Sequence, residues 1–401
     1  MLAFAAAPAL AENARFTVLP NLAGGASQGS ARGLSADGRV VVGAGTDAVG
    51  AVAMRWVDGV PEAIGDLPSG WRATHCYALS PAADFFVGGT LGAWGYVLSD
   101  GSVLELTAPA GVGIPDVAAY DVSDDGRVAV GRAAYFPSSA IRWDDGTPLN
   151  LGALAGGTLG VGATANGVSA DGTVIVGSSD SSSGVQGVRW QDGVITGLGD
   201  LAGGAFASGA ADVSADGAVI VGFGSTGSGA VAVRWVSGVI SSLGDLAGGE
   251  TSAFALGVSR NGSYIVGRGS AADGVRAFVW DAANGMRDIG VLLESQGVSL
   301  EGLALTSAFA VSDDGRTLAG EGFYEDASGS FAWTARLGEP PLACPGDLNG
   351  DSVVDLADLG IVLANFDRNP ISLHDGDYNC DGRIDLSDLG VVLALFGSRC
   401  V

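Results

Sequence analysis

Apolar positions along the chain fall in short runs rich in Val, Ile and Ala, closed again and again by Asp-Gly or Gly-Gly. Brief β-branched runs bounded by turn residues predict strands joined by hairpins rather than helices. Over residues 165–199 four strands are expected, near 165–170, 173–179, 185–191 and 194–199. The pattern is copied. A Ser-Ala-Asp-Gly tetrad or a variant begins at Ser35, Ser123, Ser169, Ser214, Ser259 and Ser312, with a degenerate Ser80-Pro-Ala-Ala in second place. Successive offsets are 45, 43, 46, 45, 45 and 53 residues. Each tetrad leads into an apolar run such as Thr173-Val-Ile-Val-Gly177. A second run then carries a Trp just before a turn: Trp56, Trp143, Trp190, Trp235, Trp280 and Trp333, with Leu98 in that place in the second unit. Leu-Gly-Asp-Leu-Ala-Gly-Gly follows, complete at 198–204 and 243–249.

Seven units of about 45 residues with four strands each predict a mainly β fold, a seven-bladed β-propeller over residues 12–337. The last unit stops at Phe331–Leu337, before a fourth strand, while Phe16–Gly25 matches the fourth-strand element of the other units. Pairing of the two would seal the ring and remove two exposed edges.

Composition narrows the partners. Forty-four acidic residues face 19 basic ones, all Arg, for a net charge of −25. That balance argues against nucleic acid and anionic membrane surfaces, and no run is long enough for an apolar membrane span. The 67 Gly argue against a helix-rich fold. Residues 1–11 are apolar and end in Ala-Leu-Ala, as a secretory signal does, so the chain is expected to be secreted, with attachment to a cell surface as a further option.

After a linker at 338–343, residues 344–401 carry one pattern twice. Asp347, Asn349, Asp351, Val353, Asp355 and Asp358 occupy places 1, 3, 5, 7, 9 and 12 of the first copy. Asp377, Asn379, Asp381, Arg383, Asp385 and Asp388 occupy them in the second. Oxygen side chains at these places, with a backbone carbonyl at place 7, form the ligand order of an EF-hand calcium loop, so two calcium ions are expected. Each copy precedes a predicted helix. Leu356, Leu359, Leu363 and Phe366 mark one apolar face, and Leu386, Leu389, Leu393 and Phe396 repeat it. Cys344 and Cys400 bracket the segment as a disulfide clamp would, whereas the pairing of Cys76 and Cys380 stays open.

Catalytic motifs are scarce. The two His residues are His75, beside Cys76 and expected in a loop, and His374, just before the second calcium loop. No nucleophile-elbow, zinc-protease or phosphate-cradling motif is present. Asp37, Asp58, Asp100, Asp125, Asp145, Asp171, Asp192, Asp216 and Asp314 stand in Asp-Gly pairs and are expected to serve turns. The repeat Trp residues are expected to pack between blades, which leaves Trp71 and Trp94 as candidates for a binding surface.

Two family resemblances add to this reading. The repeats resemble HAF extracellular repeats, most closely at Arg276-Ala-Phe-Val-Trp280 with Asp288-Ile-Gly290. This implies exported repeat architecture and no particular chemistry. Residues 344–401 resemble a type I dockerin of the Cys-bracketed kind found at the C-termini of exported proteins. That implies a small all-α calcium module that docks on a cohesin-like protein or engages surface-sorting machinery. Places 10 and 11, which contact cohesin in many dockerins, are Leu356-Ala357 and Leu386-Ser387 here, less polar than is usual. The chain thus reads as a non-catalytic binding or scaffold propeller with an unknown ligand on its face. A propeller enzyme (lyase or glycoside hydrolase) acting on extracellular polysaccharide is the alternative, and a self-associating surface-layer component a third.

Overall fold

The computed structural model describes residues 14–90, 95–99, 101–109, 116–134, 137–157, 160–338, 348–349, 353–366, 376 and 384–397. One compact unit comprises residues 16–294 and 299–335, and the C-terminal segment belongs to a second. The first is built of antiparallel four-stranded meanders. Those over 30–63, 75–106, 116–150 and 163–199 are separate sheets, while those over 209–242 and 248–288 are joined into one eight-stranded sheet. The join is a single parallel pair, Ala230 with Ser252. The three strands over 303–336 take Arg15–Leu19 as their fourth, so the N-terminal strand completes the C-terminal sheet as expected.

The copied residues are those that the turns demand. In the tetrad at 214–217, Ser214 Oγ donates to Asp216 Oδ1 at 2.7 Å and accepts the Val219 N–H at 2.9 Å. Asp216 accepts the Ala218 N–H, and Gly217 adopts φ 72°. The same bonds recur at Ser35, Ser123, Ser169 and Ser312, and Asn261 replaces Asp beside Ser259. The outer hairpins use a different device. Asp58, Asp145 and Asp192 have φ of 49°, 45° and 52° and precede Gly at 80°, 80° and 72°. Two successive positive φ values make the type I′ turn whose twist matches paired strands. Asp100 lies outside the described residues.

The repeat Trp residues are all buried. The indole N–H of Trp143 donates to Thr107 O at 2.7 Å and that of Trp235 to Leu198 O at 3.0 Å, in each case just past or within the last strand of the preceding sheet. Trp56 does the same to Pro20 O at 2.7 Å, directly after the N-terminal strand. These three rings therefore join two sheets by packing and by one hydrogen bond, whereas Trp190 and Trp333 have no indole partner among the described residues. Contacts between first strands pass from sheet to sheet in chain order. Ser30–Leu34 touches both His75–Leu79 and Leu303–Val311, so the series closes on itself.

One element departs from the repeat. Helix Ile289–Ser295 stands where other units carry the Gly-Asp-Leu-Ala-Gly-Gly loop, and it accounts for the longest repeat offset. Its buried Ile289 and Leu293 face the sheets.

In the second unit, helices Leu356–Ala364 and Leu386–Leu395 pack around buried Leu348, Val354, Val362, Ile384 and Val392. The apolar face expected from the sequence is only partly the buried one. Leu359 and Leu389 pack against this core, but Leu356, Leu363, Leu386 and Leu393 are 73, 54, 74 and 55% exposed. The helices are apolar nearly all round, so periodicity alone does not single out the face that Val354 and Ile384 cover from the loops.

Candidate binding site in the channel of the repeat unit

Every first strand carries a β-bulge just before its Val-Ser or Leu-Ser end. The shift falls, for example, between Ala119 and Asp121, and between Ala210 and Asp212. A bulge re-aims side chains, and next to a central channel it turns adjacent residues toward the axis. The residue closing the bulge is Gly or Ala in five of the seven first strands, as the crowded axis requires, and Asp in two. Together with Arg32, Tyr77 and Phe309 from the bulges, Asp121 and Asp212 line a channel cavity of about 180 Å³.

Both carboxylates are bound to backbone on each oxygen. Asp121 Oδ1 accepts the N–H of Val122 at 2.8 Å, and Oδ2 that of Val168 in the next sheet at 2.7 Å. Asp212 repeats this with Val213 at 2.7 Å and Val258 at 2.9 Å. Burial raises Asp121 to about 8, with the Asp212 charge adding to it and the two N–H groups opposing. Burial likewise raises Asp212 to about 6, against its own N–H bonds. The signal for this pair was present in the sequence, as two Asp at a place that is otherwise Gly or Ala.

At the tetrad end the channel is narrow. Asp124 N donates to Ala170 O, Ala170 N to Ala215 O and Ala215 N to Arg260 O, at 2.9–3.0 Å. Ala36 N donates to Pro81 O, and Pro81, having no N–H, passes nothing on. Arg260 reaches from the 248–288 sheet across to Asp124 of the 116–150 sheet in a bidentate pair at 2.8 and 2.6 Å.

The opposite mouth carries a contiguous set of aromatic and charged side chains. His75 stacks on Tyr77 with ring centroids 5.6 Å apart, and Tyr77 meets Tyr120 edge-on at 5.2 Å. Arg132 lies over Tyr120 at 5.9 Å, Arg32 over Phe309 at 3.9 Å and Arg268 over Phe254 at 5.1 Å. Arg32 also approaches Glu321 at 3.7 Å. Burial holds Arg32 below its ordinary value and raises Glu321, although Arg32 and Arg268 pull Glu321 down. Burial and the charge of Arg32 lower His75, which favours its neutral form. These positions carry different residues from copy to copy, whereas the tetrads and Trp places barely change.

His75 opens a strand, His75–Leu79, and is not in a loop as expected. Cys76 forms no disulfide among the described residues and is a fully buried thiol whose value burial pushes up to about 12. Such a thiol is a poor nucleophile, so the His-Cys neighbours form no reactive pair. Trp71 is 49% exposed, as expected of a surface candidate. Trp94 and His374 lie outside the described residues.

So do Cys344, Cys380 and Cys400, and the loop places Asp347, Asp351, Asp377, Asn379, Asp381 and Arg383. Asn349, Val353, Asp355, Asp358, Asp385 and Asp388 are described. Asp358 and Asp388 are fully buried carboxylates in the first turns of the two helices. Oδ2 of each accepts the N–H of the residue three before it, Asp355 or Asp385, at 2.9 Å. Asp358 Oδ1 also takes the N–H groups of Leu348 and Asn349 at 2.7 and 3.1 Å, which folds the loop back on the helix start. Two buried carboxylates in matching bonds suit paired loops that close on a cation. Among the described residues no group of three or more His, Cys, Asp or Glu is arranged around a metal position.

Four-stranded antiparallel sheets whose inner strands close in a circle define a β-propeller, and comparison with solved structures agrees. An oligogalacturonate lyase in complex with manganese matches with a TM-score of 0.52 at 12% identity, over 76% of this chain and 88% of that one. The oligogalacturonate lyase of Vibrio parahaemolyticus matches with a TM-score of 0.52 at 8% identity, over 82% and 98%. A putative TolB from Agrobacterium tumefaciens is similar at 18% identity, with a TM-score of 0.41, over 65% and 88%. At such identities the likeness concerns the fold. No family model and no curated protein sequence matches the chain.

Proposed function

We propose that the chain is a secreted, seven-bladed β-propeller that binds a ligand at the mouth lined by Arg32, Tyr77, Tyr120, Arg132 and Arg268. It is held to a partner through a calcium-dependent, dockerin-like module. Counting the eight-stranded sheet as two blades brings the blades to one per repeat. The observation that carries the binding reading is the placement of variation. Copies alike in their turns and Trp places differ at the bulge and its neighbours, which converge on one mouth. A repeat scaffold that diversifies only there presents a recognition surface.

In the C-terminal module, Asp347, Asn349, Asp351, Asp355 and Asp358 with the Val353 carbonyl would hold one calcium ion. Asp377, Asn379, Asp381, Asp385 and Asp388 with the Arg383 carbonyl would hold the second. The exposed Leu356 and Leu363, matched by Leu386 and Leu393, offer an apolar face for a cohesin-like or sorting partner. Calcium would order the loops from which both helices start. Calorimetric titration of the whole protein with calcium tests this. The expected result is about two ions bound, with loss of a separate C-terminal unfolding step in chelator. Absence of calcium binding would overturn the module assignment and leave the propeller untouched.

The enzyme reading rests on Asp121 and Asp212, a carboxylate pair outside the turns. Their four oxygens are all engaged by backbone N–H groups, which favours a structural role. Release of new chain ends from an acidic or neutral polysaccharide, abolished by Asp121→Asn and Asp212→Asn, would restore that reading.

A further inference from the structure

We propose that the mouth selects a carboxylated oligosaccharide, gripped at both ends by Arg132 and Arg268; the inference rests on the binding reading above and names the class of its ligand. The two arginines hold the same place in different blades. Arg132 pairs with Ala118 and Arg268 with Phe254, each directly after the Gly that ends the apolar run. They stand on the two sheets whose tetrads touch across the channel through Asp124 and Arg260. Each lies eight residues beyond its partner in that contact, Asp124 or Arg260. The sheets that meet at the narrow end therefore present two guanidiniums on opposite sides of the open end.

Neither guanidinium is used up. Among the described residues Arg132 and Arg268 form no ion pair, in contrast to Arg32 with Glu321. Arg132 Nε is buried and among the described residues has no hydrogen-bond partner, a position that costs free energy until an acceptor arrives. Arg268 is exposed and held over Phe254. At this mouth Arg32, Arg132 and Arg268 stand with Glu321, while Asp121 and Asp212 in the channel hold their oxygens to backbone N–H groups, on a chain of net charge −25. Planar forks of this kind prefer carboxylates, which they bind through two parallel hydrogen bonds. Thr164 and Ser178, paired at the matching place in one of the two intervening blades, supply small uncharged hydroxyls, Asn166 in that blade donates to Ala210 O at 2.8 Å, and Tyr77 and Tyr120 add flat apolar surface. Hydroxylated rings bearing carboxylates match this mixture.

The test uses the whole protein in calcium-containing buffer and isothermal titration with a linear tri-uronate, its fully methyl-esterified form and the neutral trisaccharide of the same ring type. The tri-uronate is expected to bind, and the ester and neutral sugar to bind at least roughly tenfold more weakly. Arg268→Gln, an exposed change that leaves the melting temperature in place, is expected to cost roughly tenfold in tri-uronate affinity. Arg268→Lys should recover only part of it, since an ammonium cannot form the fork. Equal binding of acid and ester, weakened by Tyr120→Ala, would overturn the ligand class and keep the binding mouth. Tri-uronate binding indifferent to Arg268→Gln and Arg132→Gln would overturn the site. Binding of none of the three probes would overturn the inference, and the mouth would then be judged separately with an acidic peptide.

Discussion

Replacing Asp121 by Asn should destabilise the protein most at the acid end of its range, with the loss shrinking or vanishing as pH rises to 9. Burial raises the Asp121 carboxyl from its ordinary 3.8 to about 8. Its folded-state value thus lies above its unfolded one, so the stability is fully present below the unfolded value and is lost as pH rises through the folded one. The window runs from about pH 4 to above pH 8, and Asp212, raised to about 6, loses its share in the lower half. At about 1.4 kcal/mol per pH unit, the displacement of Asp121 corresponds to at most about 5–6 kcal/mol. The side chain keeps partial contact with the channel, and solvent there reduces the figure to roughly 2–3 kcal/mol. Asn removes this penalty but offers one oxygen where the carboxylate offered two. One of the N–H groups of Val122 and Val168 then loses its acceptor, at a cost of about 1–3 kcal/mol at every pH. The two effects oppose each other increasingly as pH rises through the window, and only below about pH 4 does the second act alone. Thermal unfolding of the two proteins from pH 5 to pH 9 at fixed calcium should give melting curves that converge or cross as pH rises. A constant gap across the whole range would refute the reasoning.

Three further substitutions probe the joints of the repeat. Ser214→Ala removes the acceptor of the Val219 N–H and the donor to Asp216, and should cost about 1–3 kcal/mol in urea unfolding. Trp56→Phe should cost more than Trp190→Phe by about 0.5–1.5 kcal/mol, because Trp56 donates to Pro20 O whereas buried Trp190 Nε1 has no partner among the described residues. Paired melts of the two variants decide this, and equal losses would mean that the indole bond contributes nothing.

The repeated framework is legible in the sequence because turns constrain chemistry tightly. Ser214, Asp216 and Gly217 each answer a specific backbone demand, so their recurrence announces the strand spacing. The Arg15–Leu19 pairing was legible for a related reason, since a unit lacking its last strand and an orphan copy of that strand imply each other. The candidate site was not. Arg132, Arg268 and Tyr120 stand where the repeat has no rule, and the bulge that places Tyr120 beside the channel is a matter of register that strand patterning does not show. Asp121 and Asp212 were hidden differently, as acidic residues among many Asp that serve turns. The misjudged helix face has a physical origin too: Leu356 and Leu363 are as apolar as Val362, and only the loops decide which side is covered.

The strand Arg15–Leu19 has a consequence for the order of assembly. It waits for Ser330–Arg336, more than 300 residues later in synthesis, before it finds its neighbour. Joining ends so distant costs about 5 kcal/mol of chain entropy, set against packing and strand bonds gained in one final step. Until that step, the earlier meanders form an arc whose free edges invite pairing with another copy. The late closing step should make the fold slow to form. Once shut, the ring binds its two ends to each other, so that fraying at either terminus must first open the circle.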